Sequence, residues 1–220
     1  VEAQTYENFT DIDGIFAADP RLVPGAHMID ELTFFEMRDL AYSGFSILHP
    51  AAMAPVARKG VPIHVRNTFT YPKKGTLIVP ERVSDPSKPV VGVAYQNGFC
   101  AFAIQKFGLN EDVGIAKVLG VFESAGIPVE IPPVGAIDDL SVIVNQEQVK
   151  RKGVSVMLNK LQSMLGESSI DFQEHLGCLV VAGKGLKGRK GISASIQDTL
   201  SQAGVNIAFI SQGTQERAII

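Results

Sequence analysis

Ala125-Gly126-Ile127 and Ala203-Gly204-Val205 stand 78 residues apart, and the same offset joins Val118 to Ile196, Phe122 to Leu200, Val129 to Ile207 and Gly135 to Gly213. A repeat of this length constrains the fold more than any local motif, because each copy must be one supersecondary unit used twice. Each copy reads as a strand (102–106; 179–183), a loop, and a helix (113–125; 192–203) ending on a glycine suited to left-handed backbone; a second strand (127–131; 205–211) follows. Between the copies lie a strand over 140–144 and an amphipathic helix over 149–165, whose Val154, Met157, Leu158, Leu161 and Leu165 share one face.

The resulting order, βαββαβ and doubled, is ferredoxin-like. Such units offer small anionic ligands the loop before the first helix, where backbone N–H groups and the helix dipole converge. The copies are expected over 90–175 and 176–220, the second stopping short of its final strand and helix. Residues 81–89, polar and studded with proline, read as a linker from a different unit over 1–80. That unit is expected to hold a helix over 29–42 with Asp30 and Glu31 at its start, a helix over 50–58 and a strand over 60–67. A turn over 72–75 and a strand over 76–79 complete it. It reads as the tail of an α/β domain, too small to be a whole one. Its N-terminal run empties into Thr10-Asp11-Ile12-Asp13-Gly14 and reaches Asp19-Pro20-Arg21. Polar groups at the carboxyl end of a strand, followed by a glycine turn, are where open α/β sheets contact nucleotides.

Composition removes several function classes. With 45% hydrophobic residues the chain can bury a core, and a net charge of -3 gives no electrostatic reason to expect nucleic acid or an anionic membrane as partner. No apolar stretch is long enough to span a bilayer, and none of these residues reads as a signal peptide. Cys100 and Cys178 lie in apolar runs without a second ligand at metal spacing, which reads as buried free thiols in a reducing, cytoplasmic setting and no metal site.

Blander readings stand beside the chemical ones. Asp11 and Asp13 also suit a turn cap. His49, ahead of a proline helix start, reads as a structural histidine, and the Lys184, Lys187, Arg189, Lys190 cluster as a solvated loop. Gly183-x-Gly185-x-x-Gly188 follows a strand and precedes a helix, as a dinucleotide fingerprint should. However, 205–211 lacks the acidic residue that would hold the ribose, and the repeat makes this loop a second copy of 106–113.

These halves together resemble the aspartate kinase family, from the later part of the kinase domain through the tandem regulatory ACT domains. The resemblance rests on Phe9 to Phe16, Asp19-Pro20-Arg21, Asp30-Glu31-Leu32, Leu48-His49-Pro50, Gly60 to Arg66 and Gly75-Thr76-Leu77, then on Leu109-Asn110 with Val113-Gly114, and on Ala203 to Ile207. It implies ATP-dependent phosphorylation of L-aspartate to 4-phospho-L-aspartate, with ATP and Mg as cofactors of the whole enzyme. Thr10 and Asp11 then match the pair on the ribose and phosphate side, Phe16 replaces a usual tyrosine, and Arg21 matches the arginine aimed at the phosphates. Ser46 stands where many relatives have lysine. The family's lysine-glycine phosphate motif and its aspartate-holding residues are expected ahead of Val1, so phosphoryl transfer is not expected of these residues alone.

For the regulatory part, the resemblance implies an end-product amino acid as effector: L-lysine first, L-threonine second. Gly108, Leu109, Asn110, Val113, Gly114 and Ile115 match the positions for its α-carboxylate and α-amino group, with Val129 and Glu130 across the next strand; Glu130 is placed to pair with a lysine ammonium. A homodimer through the ACT domains is implied as well. Two other classes remain as alternatives: a stand-alone amino-acid sensor, which would have no use for Thr10 to Arg21, and a dinucleotide-binding oxidoreductase built on the 183–188 loop.

Overall fold

The computed structural model describes residues 3–41, 48, 50–129, 131–186, 189–212 and 217–219. The chain divides into two compact units, one of residues 97–178 and one that joins residues 1–96 to 179–220.

In the unit that joins both ends, β1 (Tyr6–Thr10) is followed by β2 (Glu31–Thr33), α1 (Phe34–Ala41) and α2 (Pro50–Arg58), then by β3 (Ile63–Asn67) and β4 (Thr76–Val79). The sheet order is β1-β3-β4-β2, with β1 parallel to β3, β3 antiparallel to β4 and β2 parallel to β4. Ile15, Leu32, Met37, Leu40, Ile63, Val65 and Ile78 are fully buried and form its core. The expected helix over 29–42 is corrected here, because 31–33 is strand. Glu31 sits opposite Leu77, and Leu77 N–H donates to Asp30 O at 2.9 Å, so the acidic residues lead into a ladder and not into a helix. The helix begins after Thr33, whose hydroxyl accepts from Glu36 N–H at 3.1 Å while the Glu36 carboxylate accepts from Thr33 N–H at 2.8 Å. This is a capping box, and Thr33-x-x-Glu36 was its signature in the sequence.

Two long strands, β5 (Gly92–Gln105) and, later, β8 (Ser169–Ala182), have residues in both units. Within 97–178 follow a single wide turn over Leu109–Val113, α3 (Ile115–Ser124), β6 (Val134–Gly135) and β7 (Asp139–Asn145), then α4 (Gln146–Lys152) and α5 (Val154–Leu165). The sheet runs β6-β7-β5-β8, with Phe102 opposite Val142 in the antiparallel β5–β7 pair. Phe102 meets the Phe122 ring edge-on at 5.3 Å and the tilted Phe172 ring at 4.8 Å between ring centres, and Val118, Met157 and Leu161 close the core. The single helix expected over 149–165 is two helices, because Gly153 takes φ 93° and breaks it; Asn145 caps the first by accepting from Glu147 and Gln148 N–H. The expected strand over 127–131 is absent among its described residues. Pro128 and the following Pro132-Pro133 remove ladder donors, and β7 finds β6 as its outer neighbour instead.

Back in the other unit, α6 (Ile192–Gln202), β9 (Ser211–Gln212) and β10 (Arg217–Ile219) complete the chain, with β10 antiparallel to both β8 and β9. Of the strand expected over 205–211, only its last residue pairs. The repeat itself is visible bond by bond. Ile127 N–H reaches Phe122 O at 2.9 Å and Val205 N–H reaches Leu200 O at 3.0 Å, across Gly126 at φ 67° and Gly204 at φ 70°. Cys100 and Cys178 are buried free thiols, each pushed up to about 11 by burial.

Candidate functional site

Thr10 and Asp11 stand at the carboxyl end of β1, beside the parallel end of β3. The Thr10 hydroxyl donates to Asp11 Oδ1 at 3.1 Å at the sheet edge, where Asp11 is exposed and Thr10 half-buried. The chain after β3 folds back over this end. Thr68 donates to Thr10 O from its N–H at 2.8 Å and from its hydroxyl at 3.1 Å, and Asn67 Nδ2 reaches Asp11 O at 3.3 Å.

The residue that ties the two strand ends together is Asp13. Its Oδ1 accepts from Asn67 Nδ2 and from Thr70 Oγ1, both at 2.8 Å, and its Oδ2 meets Lys73 Nζ at 3.3 Å. Hydrogen bonds from Thr70, Asn67 and Lys73 hold this carboxyl below the usual aspartate range. Sequence reading assigned Asp13 no role beyond a turn cap; its contacts make it the organiser of the segment. Asp13→Ala is expected to speed amide exchange at Thr68 and Phe69, the latter now donating to Asn67 Oδ1 at 2.8 Å, while β4 amides stay unchanged. Exchange mass spectrometry at peptide level checks this.

Gly14 follows because nothing larger fits: a Cβ there would lie 2.6 Å from Thr76 Oγ1 and 2.7 Å from Met28 Sδ. The fully buried Thr76 hydroxyl accepts from Ile15 N–H at 2.8 Å and donates to Ile29 O at 2.6 Å, so Ile15 is driven into the core. Phe16, next along, is half-buried and bridges Met28 in antiparallel fashion. Arg21 forms a separate pair: its Nη2 lies 2.7 Å from Asp19 Oδ2 and its Nε 3.0 Å from Oδ1, with the arginine side chain 86% exposed. The pair lowers the Asp19 pKa and raises that of Arg21. Ser46 and His49 lie outside the described residues.

In the 97–178 unit the expected effector loop is a closed turn. Gly108 takes φ 69° and donates its N–H to Asp138 Oδ1 at 2.8 Å, Leu109 N–H reaches Lys106 O at 3.1 Å, and Gly114 N–H reaches Leu109 O at 2.8 Å. Asn110 Nδ2 donates to Ile137 O at 3.1 Å, while Leu109 is buried and Val113 and Val129 pack on the core. Asp138 and Ile137 therefore hold the loop, and sequence reading named neither. Three amides expected to receive a ligand carboxylate already have partners within the chain. A carboxylate would meet the first-turn amides of α3, at Ile115 and Ala116, which a helix of itself leaves without intrahelical acceptors. Gly114, at φ 79° and ψ 144°, gives α3 this abrupt start. Glu130 lies outside the described residues. Among the described residues no three His, Cys, Asp or Glu side chains gather as a metal site, and no helix is long and apolar enough to cross a membrane.

The amino acid kinase family matches residues 1–67, which take in β1, Thr10 to Arg21 and all of β3, and the ACT domain matches 179–220. Aspartokinase 3 of Bacillus subtilis (strain 168) is 35% identical over 217 residues, 98% of this chain and 47% of that protein. The crystal structure of the Clostridium acetobutylicum aspartate kinase is similar at a TM-score of 0.91 and 30% identity, covering 99% of this chain and 50% of that one. This chain belongs to the aspartate kinase family. A further aspartate kinase, aspartokinase III of E. coli in complex with aspartate and ADP, shares the fold at a TM-score of 0.83 and 22% identity, over 99% of this chain and 48% of that one. The chain thus spans about half the length of the aspartate kinases it matches. Its 183–188 glycine loop falls within the ACT match, which removes the basis for an oxidoreductase reading.

Proposed function

We propose that this chain is the nucleotide-side part of an aspartate kinase domain joined to its amino-acid-sensing ACT region. The observation that carries this reading is the Asp13 knot, which fixes Thr10 and Asp11 at the carboxyl end of a parallel strand pair, where α/β sheets hold nucleotides. In the whole enzyme, ATP with Mg supplies the phosphoryl group that L-aspartate receives on its side-chain carboxylate, the first step towards lysine, threonine and methionine in the cytoplasm. The donor set fits that cofactor: the Thr10 hydroxyl suits a ribose or phosphate oxygen, Phe16 offers an aromatic edge, and Arg21 presents a planar fork to a phosphate. Asp19 aligns that fork from one side and leaves the edge between its two Nη groups for the anion.

The regulatory half binds an amino-acid effector at the 108–115 loop, with Glu130 meeting the ammonium of lysine. E. coli aspartokinase III, whose fold this chain shares, has been crystallised with lysine and aspartate in one state and with aspartate and ADP in another. Lysine is therefore the first effector to test and threonine the second. Effector binding shifts a two-fold dimer of ACT units between arrangements and so reaches the nucleotide segment, a coupling of about 1–3 kcal/mol between sites.

A thermal-shift screen of the twenty amino acids tests this, since a ligand that binds only the folded chain raises its Tm by mass action. Lysine at about 10 mM is expected to raise Tm, and Gly114→Ala, forced to hold a side chain at φ 79°, to weaken lysine roughly tenfold. A screen in which no amino acid shifts Tm refutes the sensor reading.

A further inference from the structure

Gly183 and Gly185 have a structural purpose that the dinucleotide fingerprint concealed. A Cβ at Gly183 would collide with Pro89 O and lie 2.8 Å from Val91 N, and one at Gly185 would collide with Pro89 Cα and lie 2.9 Å from its Cβ. Residues 183–185 therefore lie backbone against backbone on the stretch around Pro89. Val91 N–H donates to Ala182 O at 2.8 Å, and Arg189 Nη1 donates to Pro86 O.

One carboxylate anchors this contact. Glu36, on the first turn of α1, is 1% exposed. Its Oε1 accepts from Lys184 N–H at 2.7 Å and from Arg82 Nη2 at 2.6 Å, and its Oε2 accepts from Arg82 Nε at 2.9 Å and Thr33 N–H at 2.8 Å. Lys184 Nζ donates to Arg82 O at 3.0 Å. Two backbone amides and an arginine fork around a carboxylate form a built anion site, and the protein fills it with its own side chain.

By the 78-residue register this loop is the second copy of 106–113, the stretch that leads into the proposed effector turn. We infer that in the second copy this loop has become an internal latch, in which the Glu36 carboxylate fastens the second ACT copy to the nucleotide-side segment. This rests on the reading of 179–220 as an ACT copy, and it adds that the second copy's loop serves as the attachment through which the regulatory part holds α1.

The test uses Glu36→Ala in the full chain, followed by hydrogen exchange and thermal unfolding in sodium acetate and in sodium chloride of equal ionic strength. Removing the side chain leaves the two amides and the Arg82 fork around a space of carboxylate size. Exchange at Lys184 and across 82–91 is expected to rise about tenfold while 99–104 stays unchanged, and acetate, not chloride, to restore protection and Tm. Unchanged exchange at Lys184, or a uniform loss in both units with no acetate response, overturns the latch. Should the alanine variant fold poorly, Glu36→Gln keeps the volume: Lys184 is then expected to exchange faster without any acetate response, and rescue of that variant by acetate counts against the latch. Exchange is measured without effector, so it stands apart from the sensor reading.

Discussion

Phe102→Ala is expected to destabilise the chain by about 3–5 kcal/mol, the range for truncating a large buried aromatic. Phe102 is fully buried on β5, with the Phe122 ring edge-on at 5.3 Å and the Phe172 ring tilted at 4.8 Å. Such ring pairs contribute about 0.5–1.5 kcal/mol beyond the area they bury. Phe122 belongs to α3, whose first turn begins at the proposed effector loop, so the cavity also loosens the support of that loop. Urea unfolding should show a lower midpoint at unchanged slope, a Tm lower by roughly 10 °C, and weaker lysine binding. Phe102→Leu, which keeps most of the volume, should cost about 1 kcal/mol. Equal losses for the two variants would show that the site collapses around the missing ring and that α3 does not depend on it.

The parts of this fold that could be read in advance are those whose cause is local. Proline at the start of α2, the alternation of β3, and Gly126 and Gly204 at the helix ends each act within one turn of chain, and each was placed in advance. Apart from the break at Gly153, what failed depends on strand pairing. Residues 31–33 look like the start of an acidic helix until β4 supplies a ladder, and 127–131 looks like a strand until its prolines withhold the donors a partner would need. The site divides in the same way. Thr10, Asp11 and Arg21 belong to one contiguous motif, whereas Asp13 acts through partners 54 and 57 residues away, and Gly108 meets Asp138 across 30. Asp11 is exposed and Asp13 half-buried, a difference the Asp-x-Asp spacing does not foretell, since i and i+2 share a face in an extended chain. No pattern in the sequence joins Glu36 to Lys184, 148 residues on.

That last contact leads to the second large effect. Removing the Glu36 carboxylate, as in Glu36→Leu, is expected to cost about 3–5 kcal/mol, because the largely buried Arg82 guanidinium then loses the Glu36 charge and the amides of Thr33 and Lys184 lose that acceptor. Replacing both members by leucine should cost clearly less than the sum of the single changes, since neither is then left facing the other's absence; urea unfolding of the four proteins gives the coupling directly. An additive cycle would mean that the pair contributes packing alone. Acid provides an independent check. Burial raises the Glu36 pKa, but the hydrogen bonds from Arg82, Thr33 N–H and Lys184 N–H outweigh it and hold the folded value below the ordinary one. The sign follows: in the unfolded chain Glu36 protonates near pH 4.3, so its stabilisation is complete above that pH and is lost as pH falls through the lower folded value. Below about pH 4 the wild type should lose stability faster than Glu36→Gln. Parallel acid profiles would assign the loss to the other carboxylates with lowered pKa, Asp13, Asp19 and Asp85, each held by hydrogen bonds at the surface.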